Sequence, residues 1–184
     1  MSIIVRAIDV GFGNTKYVTS STNGKVECAH FPSLAFYCHN DQATESMGGK
    51  RRTVQVPVDG LFYEVGPDVE LAADRFRSWQ LHDGYTETAE YRAFTAAALH
   101  FMKIDTVDLL VVGLPVAQFL AKRSALEKAM TGSFDVGRKR TIVVKKTLVV
   151  PQPQGALFWY AMHNGKMDAM QHKTLVMDVG SRTF

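Results

Sequence analysis

Two short acidic turns, far apart in the sequence, carry residue types that could bind a magnesium-bound polyphosphate. Asp9 ends an apolar stretch and leads into Gly11 and Gly13, and Asp178 ends a second apolar stretch and leads into Gly180. An aspartate at a strand end can hold a hydrated cation, and the glycines let backbone N–H groups approach an anion closely. A single turn of this kind is often only an Asx-type hairpin, but two at strand ends favour phosphate binding.

The residues beside each turn could add further donors to a phosphate. Lys16 brings a point charge, which polyphosphates favour. The neighbouring groups that could contribute amides or hydroxyls are Gly13, Asn14 and Thr15 at the first turn and Ser181 and Thr183 at the second. The two turns together therefore predict one site for a magnesium-bound triphosphate.

Four soft ligands lie close together in the sequence: Cys28, His30, Cys38 and His39. A zinc site is one interpretation, but the spacing fits none of the common structural zinc patterns. We therefore expect ordinary packing or exposure for these four residues.

The composition limits the classes of protein to which the chain can belong. Its 184 residues are 46% hydrophobic, which is enough for a folded core, and the formal net charge is only +3. The basic runs 50–52, 138–140 and 145–146 are short and scattered, so no direct nucleic-acid binding is indicated. Two cysteines, the lack of a signal-peptide pattern and the lack of a long apolar run predict a cytoplasmic protein without a membrane span.

The elements that must position the two turns alternate between strands and helices. Apolar runs, alternation and turn residues predict strands over 3–9, 14–20, 25–29, 53–58, 61–65, 107–115, 141–150 and 173–179. Helical spacing predicts helices over 86–102, capped by Thr86, over 117–130, and over 156–163 after a break at PQPQG. Residues 31 to 52 read as a loop-rich insertion. This order predicts an α/β layer architecture.

The stretch DVGFGNTK, residues 9–16, resembles the first phosphate loop of the actin superfamily, and specifically that of plasmid-partitioning actin-like ATPases of the ParM/StbA type and their archaeal relatives. MDVGSRTF, residues 177–184, resembles the second phosphate loop. VVGLPV, VPQPQGALFWY and VDGLFYEVG are similar to supporting segments of the same half of these proteins. The resemblance implies an actin/ribonuclease H-like mixed sheet with flanking helices and a small β-containing subdomain inserted near residues 31–85.

The resemblance also implies roles for individual residues. Asp9 and Asp178 would hold Mg²⁺, and Gln152 would position the attacking water, with Gln154 as the alternative because the segment can be shifted by two residues. The groups that would bind the phosphates of ATP are Asp9, Gly11, Phe12, Gly13, Asn14, Lys16, Gly180, Ser181, Arg182 and Thr183. Phe12 suits the prokaryotic branch, and Arg182 would either clamp a phosphate or crowd it.

In domain terms, the resemblance implies that residues 1–184 are the N-terminal lobe of such a protein. Its core would comprise residues 1–30 and 86–184, the outer subdomain about residues 31–85, and a second lobe would be absent. The parent protein would be a filament-forming ATPase that segregates plasmid DNA through an adaptor. A non-hydrolytic interaction module and a small-molecule kinase of the same superfamily stay open as alternatives.

Overall fold

The computed structural model describes residues 3–22, 24–38, 51–72 and 84–177. The α-helices of these ranges are α1 (Ala89–Phe101), α2 (Val116–Ala129) and α3 (Gln152–His163). The strands are β1 (Val5–Val10), β2 (Asn14–Thr22), β3 (Lys25–Pro32), β4 (Phe36–Cys38), β5 (Val54–Val58), β6 (Leu61–Val65), β7 (Thr106–Val107), β8 (Leu109–Leu114), β9 (Gly132–Asp135), β10 (Thr141–Val144) and β11 (Thr147–Pro151). Short 3₁₀ helices lie at Val69–Ala72, Tyr85–Glu87 and Met167–Gln171.

A five-stranded mixed sheet in the order β11–β8–β1–β2–β3 forms the centre of the fold. Strands β1, β8 and β11 run parallel to one another, whereas β2 and β3 continue from β1 as antiparallel neighbours. The carboxyl ends of three parallel strands therefore meet at the same edge of the sheet, which is where open α/β sheets place their ligands. The mixed α/β class predicted from the sequence is confirmed.

Two small sheets accompany the large one: β4–β6–β5 and β7–β10–β9. The predicted hairpin of β5 and β6 is confirmed. Its turn residues Asp59 and Gly60 both adopt positive φ, as a two-residue turn of this type requires. The hairpin lies within the span assigned to the inserted outer subdomain.

Helix α1 packs against β1, β2, β5 and β6 and joins the large sheet to the hairpin sheet. The predicted apolar stripe is buried at Tyr91, Phe94 and Ala98, and Phe101 packs at its end. Burial of each large apolar side chain contributes about 1.5–3 kcal/mol. This helix therefore joins β1 and β2, the strands on either side of the first predicted phosphate turn, to the hairpin sheet.

The first helix begins later than the sequence predicts, because its cap is Thr88 and not Thr86. The Thr88 hydroxyl accepts a hydrogen bond from the Tyr91 N–H at 3.1 Å and satisfies one of the free donors of the first turn. Thr86 lies instead within the short 3₁₀ helix at Tyr85–Glu87.

The predicted single strand over 141–150 is wrong, because it consists of two strands in different sheets. Strand β10 pairs with β7 and β9, whereas β11 pairs with β8 in the large sheet. Lys145 and Lys146, both exposed, separate the two strands. The sequence analysis also missed β9 and the short strand β4, which lies within the predicted loop-rich insertion; residues 39–50 of that insertion lie outside the described residues.

The predicted break at PQPQG is not found, because α3 begins within this segment, at Gln152, four residues before the predicted start. A proline in the first helical turn is tolerated because its missing N–H would have no intrahelical partner there. Helix α2 is formed close to its predicted bounds, although Leu126 is its one buried side chain.

The last predicted strand, over 173–179, is not formed in its described part, residues 173–177. Leu175 and Met177 are exposed there, and no described strand pairs with this segment. A strand needs a neighbouring strand to pair its backbone groups. Among the described strands, the edge strand β11 pairs with β8, and the chain continues from β11 into α3. No helix within residues 3–22, 24–38, 51–72 and 84–177 combines the length and apolar character needed to cross a membrane.

Candidate phosphate-binding edge of the sheet

Asp9, Gly113 and Gln152 converge at the carboxyl edge of the large sheet. Asp9 lies at the end of β1, Gly113 near the end of β8, and Gln152 directly after β11. The Gln152 side-chain Nε2 donates a hydrogen bond of 2.9 Å to the Asp9 carboxylate, although 143 residues separate the two in sequence. The fold therefore joins the first predicted phosphate turn to the predicted water-positioning residue.

Gly113 makes this contact possible because it has no side chain. A Cβ atom at position 113 would lie 2.7 Å from the Gln152 Cγ and 3.7 Å from an Asp9 carboxylate oxygen. The first of these distances is too short for any real contact, so a larger residue would displace the Gln152 side chain. The glycine at the end of β8 thus determines how closely the other two residues approach.

Lys16 lies opposite Asp9 in the β1–β2 pairing. Its ammonium group is 3.8 Å from the Asp9 carboxylate, and both side chains are substantially exposed. Exposed pairs of this kind contribute only about 0–1 kcal/mol to stability. Lys16 can therefore turn toward a bound anion at little cost to the fold.

The turn between β1 and β2 presents backbone N–H groups at this edge. The Gly11 N–H closes the turn on the Asn14 carbonyl at 3.1 Å. The N–H groups of Phe12 and Gly13 donate to no residue in the described ranges, and Asn14 is exposed. Free backbone N–H groups beside a lysine ammonium are donors of the kind that a phosphate takes in a glycine-rich turn.

Ser33 and Tyr85 support the turn through hydrogen bonds to its carbonyl groups. The Ser33 hydroxyl donates to the Gly11 carbonyl at 2.7 Å, and the Ser33 N–H donates to the Gly13 carbonyl at 3.0 Å. The Tyr85 hydroxyl also reaches the Gly11 carbonyl at 3.3 Å, and its ring packs on Phe12 with 4.5 Å between centroids. In a planar trans peptide the N–H points opposite to the C=O, so fixing the Gly11 carbonyl directs the Phe12 N–H away from Ser33 and Tyr85.

The two tyrosines next to the turn stay neutral at any physiological pH. Burial raises the pKa of both Tyr85 and Tyr91, and the charge of Asp9 raises each further. Tyr91 is almost fully buried, and its hydroxyl has no hydrogen-bond partner in the described part of the chain. Neither residue can act as a general base, so their role here is to support the turn.

The structure places the other predicted site residues as follows. Gln154, the alternative to Gln152, is exposed in the first turn of α3, and no hydrogen bond joins it to Asp9. The whole second turn lies outside the described residues: Asp178, Gly180, Ser181, Arg182 and Thr183. Its approach to Asp9 therefore stays a prediction.

No three His, Cys, Asp or Glu side chains of the described ranges come together as a metal site. Cys28 is exposed, whereas Cys38 is half-buried and its thiol donates a hydrogen bond to the Phe62 carbonyl at 3.4 Å. His39 lies outside the described residues.

Sequence reasoning missed the residues that support the turn. Ser33 and Tyr85 lie 22 and 74 residues from Gly11, and no motif links them to it. Gly113 had a signal, because it ends a continuous apolar strand just before a proline, but its proximity to Gln152 depends on the parallel pairing of β8 and β11.

Residues 7–155 match the family model described as "Actin like proteins N terminal domain". No curated protein sequence matches the chain. The matched range includes the first turn, Gly113 and Gln152.

Solved structures of actin-like proteins share the fold. A ParM protein of psk41, in its apo form, matches with a TM-score of 0.65 and 21% identity over 90% of this chain and 55% of its own. The filament structure of AlfA from the B. subtilis plasmid pLS32 gives 0.58 and 15% over 84% and 58%. An archaeal actin homolog, Ta0583, in complex with ADP gives 0.58 and 20% over 89% and 48%. The chain thus spans about half the length of these structures.

Proposed function

Because the chain belongs to the actin-like proteins, as their N-terminal domain, we propose that it holds the phosphates of Mg-ATP at the carboxyl edge of its large sheet, as one lobe of a filament-forming ATPase that segregates plasmid DNA. The hydrogen bond between Gln152 and Asp9 carries the proposal, because it joins the predicted cation ligand to the predicted water-positioning group. A cytoplasmic location, an adaptor to the DNA and a second lobe belong to the same proposal.

The residues at this edge fit a magnesium-bound nucleotide. Mg²⁺ usually keeps several waters and takes only one or two carboxylates besides the phosphates, and Asp9 offers one half-exposed carboxylate. Lys16 and the free N–H groups of Phe12 and Gly13 offer the donors for phosphate oxygens. When bound, Mg²⁺ would neutralise charge on the phosphates. Asp178 would provide the second carboxylate.

Gln152 would position the attacking water. Its Nε2 donates to Asp9, so its carbonyl oxygen remains free to accept a hydrogen bond from water. An amide is too weak a base to deprotonate water near neutral pH, so it orients the water and the reaction stays slow. Slow hydrolysis suits a filament whose lifetime is set by its nucleotide.

Filament formation and plasmid segregation are proposed from the relatives. AlfA is described as a filament, and ParM is the plasmid-partitioning type that the first phosphate loop resembles. Because an actin-like nucleotide site lies between two lobes, one lobe alone leaves much of the ligand exposed to water. We therefore expect weak Mg-ATP binding by this chain and tighter binding by the whole protein.

Calorimetric titration with Mg-ATP tests the nucleotide site. Asp9→Asn removes the charge that holds the cation and should weaken binding about tenfold or more, since a charge-assisted contact is worth at least 1.5 kcal/mol. Asp168→Asn is the matched control, because it removes an equal charge from an exposed residue of the last 3₁₀ helix. Equal affinities for the two variants would refute the site.

A hydrolysis assay of the whole protein tests the mechanism. Gln152→Ala should lower the rate of phosphate release about 10²-fold while nucleotide binding changes little. Gln154→Ala, two residues along the same helix, should retain the rate. The reverse result would move the water-positioning role to Gln154. Retained binding without hydrolysis or pelleting in the unmodified protein would favour an interaction module.

A further inference from the structure

A cavity of about 550 Å³ lies away from the candidate phosphate-binding edge. Three separate segments form it: the start of the hairpin sheet at 51–53 with Pro67, the end of α1 at 100–103, and the turn between β9 and β10 at 138–140. Tyr85 contacts Gly11 just before α1, whereas the cavity lies at the other end of that helix, about 18 Å further along its axis. The two sites are therefore distinct.

Five cationic side chains line this cavity: Arg51, Arg52, Lys103, Arg138 and Arg140. Three of them have carboxylate partners. Arg52 pairs with Asp68 at 2.7 Å, Arg51 with Glu64 at 3.2 Å, and Arg140 with Asp105 at 3.6 Å.

Lys103 and Arg138 keep uncompensated charge. Within the described ranges no carboxylate pairs with either side chain, and Arg138 makes one hydrogen bond, to the Thr53 carbonyl at 2.9 Å. The Arg51 side chain is only 12% exposed, and its buried Nε has no hydrogen-bond partner in the described ranges. Arg51 lines the same cavity, so an anion bound there would lie beside its guanidinium charge as well.

The field in the cavity already acts on a neighbouring group. Burial lowers the pKa of His100, and the positive charges of Arg138 and Arg140 lower it further, against the hydrogen bond that its ring makes to the Val136 carbonyl. The histidine therefore stays neutral and adds no charge of its own. An anion bound beside His100 would offset the charges of Arg138 and Arg140, which disfavour the protonated form of the ring.

The remaining walls are apolar. Phe101 and Pro67 line the cavity between the cationic groups, and Phe101 is held by ring contacts with Phe31 and His100. Pockets for small molecules combine apolar walls with a few polar groups that fix the orientation, and this volume lies in their usual range of about 300–1,000 Å³. Guanidinium groups match phosphate oxygens in geometry as well as charge.

We propose that this cavity binds a small phosphate ester with an apolar or aromatic group: Arg138, Lys103 and Arg51 bind its phosphate, and Phe101 and Pro67 contact the rest. The ligand would tie the hairpin sheet to the end of α1, since both contribute to its binding. The site is independent of the nucleotide site at the opposite end of α1.

Titration with phenyl phosphate tests the proposal, with phenol and inorganic phosphate as probes that lack one half of the ligand. Phenyl phosphate should bind saturably and at least fivefold more tightly than either. Arg138→Gln should weaken this binding about tenfold, because a charge-assisted hydrogen bond is lost. Lys139→Gln should leave it unchanged: Lys139 adjoins Arg138, is equally exposed and also has positive φ, but does not line the cavity.

Two further variants keep the test decisive. Lys103→Gln repeats the loss of charge at the end of α1 in case Arg138→Gln destabilises the turn. Lys128→Gln, which changes an exposed lysine in the last turn of α2, should not change phenyl phosphate binding. The His100 ring resonances should shift when phenyl phosphate is added to the unmodified chain or to this variant, because His100 lines the cavity. Absence of saturable binding, equal loss with Lys139→Gln, loss with Lys128→Gln, or unchanged His100 resonances would overturn the proposal. Self-association that Arg138→Gln abolishes, without phenyl phosphate binding, would overturn it in favour of a contact between copies.

Discussion

At the residue scale, the contact between Asp9 and Gln152 depends on the lack of a side chain at Gly113. The 2.7 Å separation between a hypothetical Cβ at Gly113 and the Gln152 Cγ leaves no space for a methyl group. Sequence reasoning identified Asp9 from its place at a strand end and Gln152 from a family resemblance. Neither argument could bring them together, because their distance is set by the register of β8 with β1 and β11.

Gly113→Ala should therefore break the hydrogen bond from Gln152 to Asp9. We expect the free energy of unfolding to fall by about 1–2 kcal/mol, as for other insertions into a filled space, and the Gln152 side-chain amide resonances to move. Denaturant unfolding and NMR measure the two effects.

The control is Gly155→Ala, in the first turns of α3. A Cβ there meets nothing within 4 Å, so the variant should gain up to about 1 kcal/mol from helix propensity. If both variants gain stability equally, Gly113 does not set this approach.

At the element scale, the start of α1 shows what a pattern of residue types can and cannot predict. The apolar residues Tyr91, Phe94, Ala98 and Phe101 were predictable as helical because they lie three or four residues apart. The pattern did not predict that the residues between them, 95–97, are buried as well. The cap of the helix was not predictable, since Thr86 and Thr88 are both preferred cap residues and the choice is made by the 3₁₀ turn at Tyr85. The split of 141–150 into two strands was equally hidden, because both halves are apolar and differ only in their partners.

Thr88→Ala should lower the free energy of unfolding by about 1 kcal/mol, because the N–H of Tyr91 loses its acceptor. Thr86→Ala, two residues earlier, makes the same chemical change without removing a cap and should have an effect within about 0.5 kcal/mol of zero. Chemical denaturation of the two variants side by side distinguishes them. A larger loss for Thr86→Ala would return the cap to the residue predicted from the sequence.

The link between α1 and the β9–β10 turn should respond to pH through His100. Its pKa is lowered from 6.5 in the folded state, so the unfolded chain binds more protons between the two values. The free energy of unfolding should therefore fall as the pH is lowered from 7 toward 5. Asp68, Asp108 and Glu127 have lowered pKa values, so these carboxylates lose their contribution to the free energy of unfolding only at more acid pH.

His100→Gln removes the titrating group and can still donate to the Val136 carbonyl. Urea unfolding at several pH values between 5 and 7 should give a flatter profile for this variant than for the unmodified chain. Parallel profiles would mean that His100 does not titrate in this window.

At the scale of the whole molecule, α3 and the segment after it are too apolar for a permanently solvated surface. Ala161 is the one buried residue of α3, whereas Trp159 is 61% exposed. The neighbouring exposed apolar side chains are Phe158, Tyr160, Met162, Met167, Leu175 and Met177. Contiguous exposed apolar surface marks an interaction site, and the chain spans about half the length of the structures that it matches. We propose that the second lobe covers this surface, and sequence patterns alone could not show it because the helix is apolar on most of its circumference.

Quenching of Trp159 fluorescence tests this arrangement in a Trp79→Phe background, which leaves Trp159 as the one tryptophan of the chain. In this chain iodide should quench Trp159 readily, because the indole is exposed to water beside His163, on which it stacks at 4.3 Å. In the whole protein the second lobe should exclude the quencher and lower the quenching constant severalfold. The added lobe would also bring its share of the nucleotide site to the edge where Gln152 begins α3, so Mg-ATP affinity should rise in the same protein. Equal quenching in both proteins would mean that α3 faces solvent throughout and that the second lobe attaches elsewhere.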